Sequence, residues 1–203
     1  MWPVMIVLMG LMSFAGENIG AVEEVKQMKP LEGKKVVFIF AHRNFRDEEL
    51  LVPKRVLEER GAKVVLASSA LGTAKGMLGA KVEPDLLVDS VRVEEYDAVV
   101  FVGGTGASEY WDDPKAHAIV REAAQKDKLV CAICIAPVTL ANAGLLKGKK
   151  ATAWPSEAGR LKAKGATYTG RPVERDGKVI TADGPKSAGA FAEAIVKALT
   201  EGK

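Results

Sequence analysis

The stretch Leu129-Val130-Cys131-Ala132-Ile133-Cys134-Ile135-Ala136-Pro137 decides the fold, because it joins a buried strand to a sharp turn and a helix. Its first five residues are apolar, as in a strand covered on both faces. Alanines lie two positions on either side of Cys134, where bulkier residues would clash in a strained nucleophile turn. Pro137 fits the first turn of a following helix. The stretch predicts a reactive thiol at Cys134; an inert cysteine on a core strand is the alternative.

Outward from this stretch, apolar strands alternate with amphipathic helical segments. Strands are predicted at 36–40, 63–67, 98–102, 129–133 and 151–153, with short hairpin strands within 73–91 and a hairpin over 173–182 that turns at Asp176-Gly177. Helices are predicted at 48–60, with Pro53 near the first turn, and at 114–126, 137–144, 156–164 and 187–200. This alternation predicts an α/β fold with a doubly wound, mainly parallel sheet and helices on both faces, a three-layer α/β/α sandwich.

Three predicted strands end in residues suited to a site. Ligands of doubly wound sheets bind at the carboxyl ends of the strands. The loop leading to Glu49, the pair Gly103-Gly104 and Cys134 follow three such ends, so we expect them to share one crevice. The amides of Ile135 and Gly104 are candidate donors to an oxyanion there. The helix that follows Cys134 would favour a thiolate.

The composition disfavours several kinds of protein. The 29 basic and 26 acidic side chains give a formal net charge of +3. Their signs are mixed along the chain, so we expect no nucleic-acid partner. Two cysteines and two histidines are too few for a disulfide scaffold or a zinc cluster, and we expect neither a metal nor a cofactor. Cys131 lies three residues before Cys134, so the two should point to opposite faces, and core packing is favoured over a redox pair.

The first 30 residues are predicted to lie outside a domain that spans 31–203. Residues 2–12 are apolar and precede Ser13-Phe14-Ala15, as in a signal peptide that is cleaved after Ala15. The run is too short for a stable membrane span. Export to a periplasmic or extracellular location is the prediction. Because no Lys or Arg precedes Lys26, a cytoplasmic protein with a misassigned start is the alternative.

Four segments together resemble the DJ-1/PfpI (ThiJ/PfpI) superfamily, a branch of the class I glutamine amidotransferase-like fold with a flavodoxin-like sheet. They are Phe45-x-Asp47-x-Glu49-Leu50-Leu51-Val52-Pro53, Phe101-Val102-Gly103-Gly104, Ala132-Ile133-Cys134-Ile135-Ala136-Pro137 and Ile180-Thr181-Ala182-Asp183-Gly184-Pro185. The resemblance covers about residues 34–203 and implies a homodimer. It implies that Cys134 is the nucleophile, that Glu49 touches its sulfur, and that Gly103 and Gly104 lie beside the oxyanion site.

The role implied for Glu49 leads to an expectation about proton affinity. A protonated carboxyl would donate a hydrogen bond to a thiolate, whereas an ionised one would oppose it. We therefore expect a raised pKa for Glu49 and a lowered pKa for Cys134. A first-turn acid that favours the helix dipole is the simpler interpretation of Glu49.

The chain departs from the family pattern at two positions. Peptidase-like members carry a histidine directly after the nucleophile, where this chain has Ile135. Other members, including those assigned glyoxalase-type activity, place a histidine near residue 154, where this chain has Trp154. The usual general base is missing at both places. His42 follows the first strand and is the candidate substitute, with a loop histidine of no role as the alternative; His117 is expected on a solvated helix surface.

Three functions therefore stay open. The first is cofactor-free thiol chemistry on small reactive carbonyl compounds, of glyoxalase or deglycase type. The second is a non-enzymatic stress protein, in which an oxidant modifies Cys134 or the dimer protects other proteins as a chaperone. The third, an amidase or cysteine peptidase, is disfavoured by the missing histidine.

Overall fold

A central sheet organises the computed structural model, which describes residues 29–201. The strands in chain order are β1 (Lys35–Phe40), β2 (Arg43–Phe45), β3 (Lys63–Ser68), β4 (Ala74–Gly76), β5 (Lys81–Val82), β6 (Leu86–Leu87), β7 (Ala98–Phe101), β8 (Leu129–Ile133), β9 (Lys150–Ala151), β10 (Thr167–Tyr168), β11 (Val173–Asp176) and β12 (Val179–Ala182). Seven of them form the main sheet in the order β11-β12-β8-β7-β1-β3-β6. Neighbouring strands pair in parallel except β11, which is antiparallel to β12.

Helices cover both faces of this sheet. They are α1 (Asp47–Glu59), α2 (Pro114–Gln125), α3 (Pro137–Asn142), α4 (Ala158–Ala163) and α5 (Ala188–Thr200). Helices α1 and α5 pack together on one face, while α2, α3 and α4 pack in sequence on the other. The prediction of a mainly parallel, three-layer α/β/α sandwich is confirmed.

The sheet has one hydrophobic cluster on each face, and the alternating side chains of β1 contribute to both. In β1, Phe38 and Phe40 belong to the cluster beneath α1 and α5, whereas Val37 and Ile39 belong to the cluster on the opposite face. Successive strand side chains point to opposite faces, so a strand covered on both sides must be apolar throughout. All four of these side chains are fully buried.

Most element boundaries follow the sequence pattern, but the strand predicted at 151–153 is instead β9, which ends at Ala151. The strand predicted at 129–133 has those limits, and the hairpin of β11 and β12 turns at Gly177, whose φ is 60°. Pro53 does not lie near the first turn of its helix. Because α1 begins at Asp47, Pro53 is an interior residue and cannot donate a hydrogen bond to the Glu49 carbonyl.

A buried carboxylate at the first residue of α1 binds the hairpin of β4 and β5. Asp47 is only 6% exposed, and its oxygens accept hydrogen bonds from the amides of Leu78 at 2.8 Å and Ala80 at 2.7 Å. The amide of Met77 donates to the Phe45 carbonyl at 2.9 Å. These bonds fasten the hairpin of β4 and β5 against the beginning of α1.

The predicted signal peptide and its cleavage site after Ala15 lie outside the described residues. Between residues 29 and 201, no helix combines the length and the apolar character that crossing a membrane would require.

Substitution of Asp47 by alanine should loosen this hairpin. Two backbone amides of the hairpin would lose their carboxylate acceptor, so we expect a loss of about 1–3 kcal/mol in the free energy of unfolding. Hydrogen exchange should accelerate at residues 76–80 before it does so in β8. The exposed Asp89, replaced by alanine, is the control. Equal stability of the two variants would contradict the anchoring role.

Candidate active site

Cys134 occupies a strained turn between β8 and α3. Its φ is 64°, in the left-handed region that non-glycine residues rarely adopt. Its amide donates to the Ala182 carbonyl at 2.9 Å, and its carbonyl accepts from the Trp154 amide at 2.8 Å. Backbone bonds on both sides therefore hold the turn, and they also bring Trp154 beside the cysteine.

Two glycines after β7 allow close approach to Cys134. A methyl group built on Gly103 would overlap Glu49 Oε2 and would lie 2.5 Å from Cys134 Cβ. Gly104 has a φ of 99°, and a methyl group there would lie 2.5 Å from the Asn44 carbonyl oxygen. A side chain at either position would separate the loop before α1 from the turn at Cys134.

Glu49 is a fully buried carboxyl on the first turn of α1. Within the described part of the chain, neither of its side-chain oxygens has a partner in well-aligned hydrogen-bond geometry. Burial raises its pKa from 4.5 to about 8, although the contacts with Cys134 and the Gly103 amide lower it in part. The expected raised pKa of Glu49 agrees with this burial.

The expected lowering of the Cys134 pKa is wrong for this structure. Cys134 is 9% exposed, and burial together with the adjacent carboxyl raises its pKa to about 12. The amides of Gly104 and Ile135 favour the thiolate but do not outweigh burial. Burial disfavours the charged form of both groups, and an ionised Glu49 would further oppose ionisation of Cys134. Both protons are therefore retained at neutral pH.

A pocket of about 210 Å³ opens above this pair. Its lining residues are Arg46, Glu49, Met77, Gly104, Thr105, Cys134, Ile135, Trp154 and Pro185. The predicted site residues Cys134, Glu49, Gly104 and Ile135 therefore meet in one place, with Gly103 packed behind them. Trp154, at the usual histidine position, also lines the pocket and is 45% exposed.

Neither described histidine lines the pocket. His42 lies beyond β1, and its Nδ1 is buried with no hydrogen-bond partner among residues 29–201. His117 lies on α2 as expected but is half-buried rather than solvated, with Nε2 2.8 Å from the Trp111 carbonyl oxygen. The role of His42 as a base stays a prediction without a contact to support it.

The second cysteine lies in the same core as the first. Cys131 is fully buried, burial raises its pKa, and both thiols are free. Cys131 and Cys134 share the cluster beneath α1 and α5, so the expectation of opposite faces is wrong. Strand alternation would place them apart, but the left-handed turn at Cys134 redirects its side chain. Among the described residues, no group of three or more His, Cys, Asp or Glu is placed to hold a metal ion.

Arg46 and Met77 are pocket residues that the sequence reasoning missed. Arg46 directly precedes α1, and its amide donates to the Gly103 carbonyl at 3.0 Å. Arg46 could have been predicted as a pocket residue, because it belongs to the loop that leads to Glu49. Met77 lines the pocket because Asp47 holds the hairpin of β4 and β5 beside α1. This contact joins residues far apart in the chain, so the local sequence around Met77 does not predict it.

Replacement of Glu49 by glutamine should change how stability depends on pH. Above pH 4.5 the unfolded chain loses the Glu49 proton, whereas the folded protein keeps it up to about pH 8. Wild-type stability should therefore fall relative to Glu49→Gln across this window, by on the order of a few kcal/mol, and the gap should be constant above it. Chemical denaturation at several pH values measures the gap. A gap that does not vary with pH would exclude a raised pKa.

Comparison with known proteins gives the same fold and family. The family model for the DJ-1/PfpI family matches residues 34–198. An uncharacterized protein of Methanocaldococcus jannaschii is 43% identical over 172 residues, covering 83% of this chain and 84% of that protein. A deglycase of Pyrococcus horikoshii is 34% identical over 165 residues, covering 81% of this chain and 99% of the relative.

A solved structure extends the likeness to three dimensions. The crystal structure of a ThiJ/PfpI domain protein from Brachyspira murdochii aligns with a TM-score of 0.81 at 33% identity, covering 83% of this chain and 99% of that one. The family match runs from just before β1 into α5 and includes the Cys134 turn, Glu49 and the paired glycines. This chain belongs to the DJ-1/PfpI family.

Proposed function

We propose that Cys134 is the nucleophile of a cofactor-free reaction on small reactive carbonyl compounds, of deglycase or glyoxalase type. The observation that carries the proposal is the contact between Cys134 and the buried carboxyl of Glu49 at the base of a pocket. The relative from Pyrococcus horikoshii that is named a deglycase supports the reaction class. The pocket volume of about 210 Å³ suits a compound of only a few heavy atoms.

Glu49 itself supplies the base that the missing histidine would have provided. A carboxyl with a pKa of about 8 exchanges protons near neutral pH, where a general base works best. Once ionised, Glu49 takes the proton of the Cys134 thiol while sulfur attacks the carbonyl carbon. The C–S bond forms, the electrons of the C=O π bond move to oxygen, and the proton passes from Glu49 to that oxygen. The product is a hemithioacetal, with no net change in charge.

An aldehyde with a second carbonyl group next to it can react further. Ionised Glu49 would remove the proton from the carbon that carries sulfur, which gives an enediol, and return it to the neighbouring carbon. The hydroxyl proton moves to the neighbouring oxygen, so that a thioester and an alcohol result. Water then cleaves the thioester, releasing a 2-hydroxy acid and restoring the thiol. Methylglyoxal plus water gives lactic acid by this route, with no external oxidant or reductant.

The amides near the sulfur complete the arrangement. Those of Gly104 and Ile135 already favour negative charge on Cys134, and the same donors would stabilise an oxyanion formed beside it. Peptide or amide hydrolysis needs an acid that protonates a leaving amine. With Ile135 and Trp154 in the two histidine positions, the chain offers less support for that chemistry.

A redox role is the second candidate, and the same contacts favour it. Hydrogen peroxide would oxidise Cys134 to a sulfenic and then a sulfinic acid. Each step transfers one oxygen atom to the sulfur and releases one molecule of water. The Glu49 carboxyl and the amides of Gly104 and Ile135 would hydrogen-bond the sulfinate oxygens. A homodimer, a chaperone activity and export of the chain remain further predictions.

Methylglyoxal provides the direct test of the enzymatic proposal. The wild type should consume it and form lactate, and Cys134→Ser should lose at least about a hundredfold in kcat/KM, since the nucleophile is removed. Cys131→Ser is the matched control and should retain activity. If wild type shows no turnover but gains two oxygen atoms at Cys134 in mild peroxide, the redox role replaces the enzymatic one.

The pH dependence tests the role of Glu49. Because the base is the ionised carboxyl, kcat/KM should rise with pH and level off above about pH 8. Glu49→Gln should abolish most of the activity, and any residual rate should lack this rise. A wild-type profile that falls through this range would require a protonated Glu49 instead.

A further inference from the structure

Arg46 places a positive charge at the edge of the Cys134 pocket. It lines the pocket, and its side chain is 28% exposed. Its Nε and Nη2 donate to the two oxygens of Glu48 at 2.8 and 3.1 Å, which fixes the plane of the guanidinium. A guanidinium carries five N–H donors, and Nη1 takes no part in this pair. The charged group is therefore both held in place and able to donate again.

The other titratable groups at the pocket leave Arg46 as its main charge. Glu49 keeps its proton at neutral pH and Cys134 remains a thiol. Among the pocket-lining residues that the structure describes, Arg46 is the one basic side chain. Asp183 and Lys186 line a neighbouring pocket on the other side of Trp154 and Pro185. The Glu48 carboxylate partly neutralises the charge of Arg46. Its effect on anion binding can be measured by removing the Glu48 charge.

We propose that Arg46 is a specificity-determining residue that favours 2-oxoaldehydes bearing a carboxylate, such as 4,5-dioxopentanoate, over neutral 2-oxoaldehydes such as methylglyoxal. The guanidinium would donate to the carboxylate while the Cys134 sulfur attacks the aldehyde carbon. A C–S bond forms, the C=O π bond breaks, and the thiol proton passes through Glu49 to the new hydroxyl. The substrate class rests on the proposed function, whereas the preference for anions can be tested without turnover.

Two alkylating probes of similar size isolate the effect of charge. Iodoacetate is anionic and iodoacetamide is neutral, and each forms a C–S bond at Cys134 with loss of iodide and of the thiol proton. The quantity measured is the ratio of their rate constants, divided by the same ratio for a small free thiol at the same pH. Peptide mapping by mass spectrometry assigns the adduct to Cys134, since Cys131 is fully buried.

The variants predict opposite shifts. Arg46→Met should lower the ratio by about fivefold, as expected for loss of one partly solvated charge near the sulfur. Glu48→Gln should raise it, because it frees Arg46 from its counter-charge, and this variant also covers the case in which Arg46→Met does not fold. Arg43→Met is the matched control, because Arg43 is exposed and lies outside the pocket lining, and its ratio should equal that of wild type.

Turnover then separates this inference from the proposed function. Wild type should convert 4,5-dioxopentanoate to 2-hydroxyglutarate with a higher kcat/KM than methylglyoxal to lactate, and Arg46→Met should lose activity toward 4,5-dioxopentanoate selectively. Equal losses on both compounds, with an unchanged alkylation ratio, would reduce Arg46 to a structural partner of Glu48 and overturn the inference. If neither compound is consumed while the alkylation ratios shift as predicted, the anion preference stands and the carbonyl chemistry fails.

Discussion

The contact between the Glu49 carboxyl and Cys134 across Gly103 is the constraint on which the site depends. It requires a carboxyl to be buried without a well-aligned hydrogen-bond partner and a cysteine to adopt a left-handed backbone. Each of these is costly alone. The surrounding sheet compensates by fixing the Cys134 backbone through Ala182 and Trp154 and by burying apolar side chains on both faces. The stability of the fold is thereby used to hold an unfavourable pair together.

Much of this architecture could be predicted from the sequence because its determinants are local. Apolar five-residue runs specify buried strands, and the alanines around Cys134 together with Pro137 specify the turn into α3. The grouping of Cys134, Glu49 and Gly104 follows from the rule that parallel strands end at one edge. The position of these residues in the sequence was enough to predict these features. It was not enough to predict which way the Cys134 side chain points after the strained turn.

The missed features depend on burial and on distant contacts. Lowering of the Cys134 pKa was expected from a helix terminus and a hydrogen bond, but the extent of burial, which reverses the sign, is a property of the whole fold. Met77 reaches the pocket because Asp47 binds amides about thirty residues away. The shared cluster of Cys131 and Cys134 likewise reflects a backbone rotation rather than strand periodicity.

The indole of Trp154 packs against Gly184, where an added methyl group would lie 2.8 Å from the ring. With tryptophan at position 154, only glycine fits at position 184 without displacing the indole. The two positions are sterically coupled: the indole at 154 requires glycine at 184, and a smaller side chain at 154 would remove that requirement. The width of the pocket at Trp154 is therefore set by residue 184 as well as by residue 154.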